Sequence, residues 1–375
     1  MDNPLKGIFS NIKLFQSSGG EFALGVDVGS SSIKVVEVKK KSGKVALETY
    51  GVISLGPYAQ EDMGKVTNLS IEQTAEALRE VMKQAETSTY SCGISIPVQS
   101  SLIFSISLPP QVADSQIRAV VPIEARKYIP VPITEVSLDY FVLPAREPTF
   151  EEENNPEAAA VPPANKEVLV VAIQNDAIAK YRSLSSQCGL DAGFFELEIF
   201  SSMRANLEHE LSLVLLIDFG ASRTRLSLIE FGMLKAYHTV NRGGADITDA
   251  IARSLSIPFS KAEEMKKEYG LFENPAEKNL SGIIKTHLDY IFSETNTMLF
   301  NYEKKYGKSP AKIIFSGGGS MLKGLTEAAA ANFRANIEIG RPFEKVGAPA
   351  FLEKVLSATG PEFAVAIGLA LRKLQ

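Results

Sequence analysis

Two short stretches share an order of residue types suited to holding a phosphorylated ligand. DVGSSSIKVV runs from Asp27 to Val36, and DFGASRTRLS begins at Asp218. In each, an aspartate near a strand end precedes a glycine, then small or hydroxylated residues, then a second strand. Asp27 matches Asp218, Gly29 matches Gly220, Ser31 matches Ser222, and Lys34 matches Arg225. Gly29 and Gly220 are expected to permit a turn with positive φ and close backbone approach. Exposed N–H groups in such turns make a concave anion site; Ser30, Ser31 and Ser32 line the first, Ala221 and Ser222 the second. A carboxylate cannot bind phosphate directly, but Asp27 and Asp218 can hold Mg²⁺ through water, because magnesium sheds its hydration shell reluctantly. Either copy alone reads as an ordinary Asp–Gly hairpin. Two copies in register read as a clamp around a polyphosphate and its magnesium.

A third stretch, SGGGSMLKG from Ser316, places Gly317, Gly318 and Gly319 between a strand and a helix, where a ligand can lie on the backbone. It is not the dinucleotide fingerprint, because Leu322 takes the place of the last glycine. GSSSIK lacks the spacing of a P-loop. A Rossmann dehydrogenase and a P-loop enzyme are both excluded.

Composition narrows the class. The chain has 375 residues, enough for two domains or lobes. Its 45% hydrophobic and 22% charged residues are ordinary for a globular protein. A net charge of -5 argues against a broad nucleic-acid surface. Cys92 and Cys188 are too few for a disulfide framework and read as buried, inert thiols; the three histidines show no zinc-type spacing. No run approaches the ~20 apolar residues that span a bilayer. Leu5, Ile8, Ile12 and Phe15 fall at helical spacing near the N-terminus, which reads as a short helix docked on the protein, with a membrane or partner contact as the alternative.

The elements that must position these motifs follow from periodicity. FALGVDV, IKVVEVKK and the segment Lys44–Leu55 form an antiparallel meander. A helix begins at Ser70, boxed with Gln73, and SCGISIP returns to the sheet. Leu102, Phe104, Ile106 and Leu108 alternate with serines on a strand. A helix from Asp114 should be kinked or interrupted at Pro122. Pro144 to Lys166 turns acidic and proline-rich, as a mobile loop does, and EVLVVAIQ resumes the main lobe. From Leu211 the opening meander repeats. A helix begins near Gly244, Ser260 and Glu263 form a capping box for the next, and a closing helix ends the chain.

DVGSSSIK, DFGASRTR and SGGGSMLKG, in that order, resemble the two phosphate motifs and the adenosine motif of the actin, Hsp70 and sugar-kinase superfamily. GVDVGSSSIKVVEV, KYIPVPITEVSLDY, IDFGASRTRLSLIE and NRGGADITDAIARSL narrow the resemblance to the PilM family, actin-like ATPases of type IV pilus assembly. It runs from about Phe22 to the C-terminus. The acidic loop around Phe150 to Pro163 matches nothing in it, and FFELEIF is bulkier than the family's stretch. The implied fold is α/β, actin-like (ribonuclease-H-like) and two-lobed, with a central nucleotide cleft. Residues 1–21 would be an N-terminal segment; 22–97 and 168–210 a first lobe closed by a helix at 361–375. An inserted subdomain would span 98–167, with its mobile acidic loop at 144–166, and a second lobe 211–360.

The resemblance implies ATP and Mg²⁺ as ligands. Asp27 and Asp218 would hold the metal through water, while Gly29–Ser32 and Gly220–Ser222 cradle the phosphates. Lys34 either neutralises phosphate or faces solvent. Gly243 and Gly244 would open a helix near the nucleotide, and Gly317–Gly319 would pass under the adenosine with Met321 near the base. Glu263 and Lys266 are candidates for ribose or adenine contact, although a solvated charged face is the simpler reading. Glu198 matches a hinge acid that could position water, or serve the hinge alone. The implied role is a cytoplasmic scaffold, peripheral to the inner membrane through its partners, that takes the short N-terminal peptide of a PilN-like membrane protein. Leu102, Phe104, Ile106, Arg118 and Arg126 would line that groove. Other pilus platform proteins and self-association are further contacts of this role. A small-molecule kinase or an FtsA-like cell-division ATPase are the alternatives on the same fold. The first lacks a sugar-binding cluster here. Against the second, the sequence ends at GLALRKLQ without an amphipathic tail.

Overall fold

The computed structural model describes residues 22–41, 43–143, 165–208, 211–272 and 279–374. The N-terminal amphipathic segment and almost all of the acidic loop lie outside these. Packing divides the chain into a unit of residues 98–179 and a main unit formed by 22–97 with 180–374.

In the main unit, β1 (Phe22–Val28), β2 (Ser32–Lys41) and β3 (Lys44–Ser54) are consecutive antiparallel strands. Helix α1 (Ile71–Gln84) starts at the expected capping box: Gln73 N–H donates to Ser70 Oγ at 3.2 Å and Ser70 N–H to Gln73 Oε1 at 3.1 Å. Its buried face, with Ala75, Leu78 and Met82, returns the chain to β4 (Ser91–Ile96), parallel to β1.

The unit 98–179 contains β5 (Ser101–Leu108), α2 (Asp114–Ala125), β6 (Val136–Val142) and β7 (Lys166–Gln174). Here the structure departs from the sequence reading. β7 does not resume the main lobe; it is the central strand of a three-stranded antiparallel sheet in the order β5-β7-β6. Its uninterrupted apolar run fits a strand buried on both faces as well as it fits the main sheet. Pro122 does not interrupt α2, which continues to Ala125. Burial of Ile117, Val121 and Ala125 against Val168 and Val170 keeps the last turn in place despite the lost hydrogen bond.

Helix α3 (Asn175–Gln187) leads to β8 (Asp191–Leu197), parallel to β4, and to α4 (Glu198–Asn206). The opening plan then repeats. β9 (Val214–Phe219), β10 (Thr224–Glu230) and β11 (Met233–Val240) form a second antiparallel meander. Helices α5 (Gly244–Leu255), α6 (Phe259–Tyr269) and α7 (Leu280–Tyr306) follow, then β12 (Lys312–Ser316), α8 (Leu325–Asn332), β13 (Asn336–Ile339), α9 (Glu353–Thr359) and α10 (Ala364–Lys373). The two five-stranded sheets have matching orders, β3-β2-β1-β4-β8 and β11-β10-β9-β12-β13. The capping box expected at the start of α6 is not formed; Pro258 takes the N-cap and Glu263 turns elsewhere.

The closing helix α10 is core. A β-carbon on Gly25 of β1 would lie 1.8 Å from Ala366 O, and one on Gly368 would lie 2.0 Å from Ser201 O of α4. Only glycine lets these backbones approach. Glu196, fully buried on β8, joins these layers. Arg204 of α4 grips both of its carboxylate oxygens at 2.8 Å, and Arg372 of α10 reaches it at 2.6 Å. Although burial alone pushes this carboxyl up, the two guanidiniums pull it down to about 2. The stretch Ala350–Lys373 is long and apolar enough by composition to cross a bilayer, yet 61% of its most apolar window is buried in the fold.

Candidate functional site

The twin motifs become twin hairpins. Asp27 lies opposite Lys34 in the β1–β2 register, and Asp218 lies opposite Arg225 in the β9–β10 register. Each turn closes with the same hydrogen bond, from Gly29 N–H to Ser32 O and from Gly220 N–H to Arg223 O, both at 3.0 Å. Neither glycine has the positive φ expected from sequence. What requires glycine is proximity, because a β-carbon would sit 2.9 Å from Ser32 O or 3.0 Å from Arg223 O. The two turns face each other: Ser30 Oγ and Ser222 Oγ are 3.0 Å apart and hydrogen-bonded across the lobes. They open onto a cleft of about 860 Å³. That is the size that takes a nucleotide.

Charge is concentrated at the hairpins. Burial raises the Asp27 carboxyl above its ordinary value, against the pull of Lys34 and of Ser95, whose hydroxyl donates to Asp27 Oδ1 at 2.9 Å. Lys34 points into the cleft but donates to Ser32 Oγ at 2.8 Å. Arg225 behaves differently. Its guanidinium reaches Asp218 Oδ2 at 3.1 Å and Glu198 Oε1 at 2.7 Å, with its side chain 13% exposed. Glu198 is thus an ion-paired carboxylate at the first turn of α4. Among the described residues no group of three His, Cys, Asp or Glu side chains could cage a metal. A cation here would rest on Asp27 and Asp218 with water and phosphate oxygens completing the shell, which fits Mg²⁺ better than zinc.

The far side of the cleft is built by α5, α6 and the glycine turn. Gly243 is fixed by Ala221, whose carbonyl would lie 2.3 Å from a β-carbon. The first amides of α5 are taken, Gly244 N–H by Gly220 O and Ala245 N–H by Ala221 O, both at 2.9 Å. Gly317 has φ +78°, and a β-carbon would lie 2.4 Å from Asp218 Oδ1; one on Gly319 would meet the Phe219 ring at 2.5 Å. Both glycines serve contact with β9, and Gly318 is the open one. Met321 lines the same wall and is 42% exposed.

The solvated charged face expected at Glu263 and Lys266 is not there. Lys266 Nζ lies 2.6 Å from Glu263 Oε2 and donates to Gly244 O at 2.9 Å and Thr248 Oγ1 at 2.8 Å, with both side chains nearly buried. Burial pushes the ammonium down while Glu263 holds it up. Sequence spacing showed an i,i+3 pair but not that α5 would cover it. Three other residues that build or support the cleft were missed. Ser95 and Thr248 carried no sequence signal, whereas Arg225 had one: its match to Lys34.

The proposed peptide-groove residues share the unit 98–179 but not one environment. Ile106 is core, packed with Ile117 and Val170, because the dry face of β5 is the face that α2 covers. Phe104 is half-buried and stacks on Tyr128 at 5.1 Å between centroids. Leu102, Arg118 and Arg126 are exposed. Both cysteines are free and buried, with burial pushing the Cys92 thiol up to about 12.

Known proteins place this architecture. A solved structure of a "PilM-PilN type IV pilus biogenesis complex" superposes with a TM-score of 0.77 at 27% identity, covering 95% of this chain and 99% of that one. The ethanolamine utilization protein EutJ of Carboxydothermus hydrogenoformans shares the fold alone, with a TM-score of 0.54 at 13% identity over 99% of both chains. Among curated relatives, the cell division protein FtsA of Rhizobium meliloti is 29% identical over 180 residues, 41% of this chain and 38% of that protein. The chain therefore matches well under half the length of that relative. FtsA of Enterococcus faecalis is 22% identical over 85% of this chain and 78% of its own length. The fold is the actin-like α/β fold. The family model for type IV pilus assembly protein PilM matches residues 25–374, and the chain belongs to that family.

Proposed function

We propose that the chain is an ATP-binding scaffold of the type IV pilus assembly platform. It holds Mg·ATP between its twin hairpins and engages a PilN-like inner-membrane protein through that protein's short N-terminal segment. The observation that carries the nucleotide half is the Ser30–Ser222 hydrogen bond, which sets two phosphate-type turns face to face over one cleft. Gly29–Ser32 and Gly220–Ser222 would take the phosphates, Asp27 and Asp218 the hydrated metal. Gly318, Met321 and the Lys266–Glu263 pair would take the adenosine. The partner half is supported by the likeness to the solved PilM-PilN type IV pilus biogenesis complex. The unit 98–179 offers the chemistry for it, since an extended peptide can add to a sheet edge beside apolar side chains. There β5 and β6 are sheet edges, and Ile123 and Tyr128 are 67% and 52% exposed.

Calorimetric titration of the full chain with synthetic N-terminal peptides of inner-membrane pilus proteins, with and without Mg·ATP, tests this. Binding on the order of micromolar is expected, weakened by Ile123→Asp or Tyr128→Ala. Sugar-stimulated ATP turnover with no peptide binding would favour the kinase alternative and sink the scaffold.

A further inference from the structure

The two hairpins carry a cation at the same register position, and the two cations are used differently. Lys34 donates to the neutral Ser32 hydroxyl of its own turn and acts on Asp27 and Glu362 only through its charge. Arg225 joins Asp218 of its own hairpin to Glu198 of α4, and its buried Nε has no acceptor. The remaining cations of the cleft are taken or peripheral. Lys266 belongs to Glu263 and the Gly244 carbonyl, Lys267 pairs with the other Glu263 oxygen, and Arg223 donates to Asn241.

We propose that Arg225 selects a nucleoside triphosphate over a diphosphate, and that Glu198 is a positioning residue that aims it. This rests on the cleft being the nucleotide site. At the hairpin end four carboxylates, Asp27, Asp218, Glu198 and Glu362, gather with two cations, Lys34 and Arg225. Such a site repels a bare polyphosphate and accepts one that brings a divalent cation. Were Asp218 to hold the water shell of that cation, the Arg225 guanidinium would lose one of its two carboxylate partners. A buried guanidinium left half-paired is costly, and a further phosphoryl group restores a charge-assisted acceptor there. A diphosphate, shorter by one phosphoryl group, would not supply that acceptor and would leave the cost in place. Glu198, retained as the second partner, fixes the guanidinium plane. Glu198 thereby acts through Arg225 rather than on the reacting atoms.

The test compares Mg·ADP with a Mg complex of a non-hydrolysable ATP analogue by calorimetry on the full chain. The wild type is expected to prefer the triphosphate by at least about tenfold. Arg225→Gln should bring the two affinities to within about twofold, with Mg·ADP bound at least as tightly as by the wild type because no half-paired guanidinium remains, its fold verified by thermal stabilisation with ADP. Glu198→Gln should lower the ratio of ATP-analogue to ADP affinity several-fold in a protein that stays folded, a change in ratio that a merely structural role would not produce. Should Arg225→Gln fail to fold, Arg225→Lys decides. One ammonium cannot reproduce the planar two-sided fork, so the preference should fall at least about threefold. An undiminished preference in a folded Arg225 variant, or a wild type that binds both nucleotides equally, overturns the proposal. A wild type that binds neither overturns the nucleotide reading itself.

Discussion

The first-lobe and second-lobe hairpins have the same backbone and different electrostatics. Both place an acid opposite a cation, close on the same glycine-to-carbonyl hydrogen bond and lend a hydroxyl to one cross-lobe contact. Yet Asp27 forms no ion pair among the described residues and its carboxyl is raised by desolvation, whereas Asp218 is held by Arg225. A repeated backbone thus fixes where a metal and phosphates can lie, and one side chain decides how each half responds to them. The asymmetry resides in Lys34 and Arg225, not in the fold.

Removing the cations should show the largest contrast. Arg225→Ala leaves Asp218 and Glu198 facing each other without their shared counter-ion. It should lower unfolding free energy by about 3–5 kcal/mol in denaturant titration. Lys34→Ala, whose lysine donates to a serine hydroxyl and lies in no ion pair of hydrogen-bond distance among the described residues, should cost below about 1 kcal/mol. Equal losses would erase the distinction. The turns, in contrast, should respond alike, because Gly29→Ala and Gly220→Ala each force a β-carbon onto a carbonyl. Each should cost about 1–3 kcal/mol.

Acid titration of the free protein sharpens the electrostatic half. The raised Asp27 carboxyl stabilises the fold when protonated, below the ordinary carboxylate range, and that contribution is lost as the pH rises through its raised value. Asp27→Asn should abolish that slope. Glu196, outside the cleft, has the opposite sign: its contribution is present above about 4.5 and is lost as the pH falls to about 2. Stability curves of Asp27→Asn and Glu196→Gln that moved in parallel would contradict the assignment. The smallest effect belongs to the cross-lobe hydroxyls. Ser30→Ala and Ser222→Ala should each cost below about 1 kcal/mol in the free protein.

Much of this was legible before any coordinates. The strand–turn–strand motifs, the Ser70 capping box and the strand–glycine–helix order of residues 312–325 are local, and local chemistry forms them. What failed to show was tertiary. The run EVLVVAIQ reads as a buried strand in either sheet, and only pairing with β5 and β6 assigns it. Pro122 breaks a helix in isolation but not one pressed on a sheet by Val121 and Ala125. Glu263 and Lys266 looked solvated because nothing in α6 announces that α5 will cover them. Gly29 and Gly220 do require glycine, although the constraint on them is a nearby carbonyl rather than a left-handed backbone.

Calorimetric titration of the full chain with ATP probes the clamp most directly. One ATP per chain should bind in the presence of Mg²⁺, and binding should vanish with EDTA or in Asp27→Ala while the variant stays folded. Equally tight ATP binding without magnesium, or by Asp27→Ala, would contradict a nucleotide held through its metal between the two hairpins.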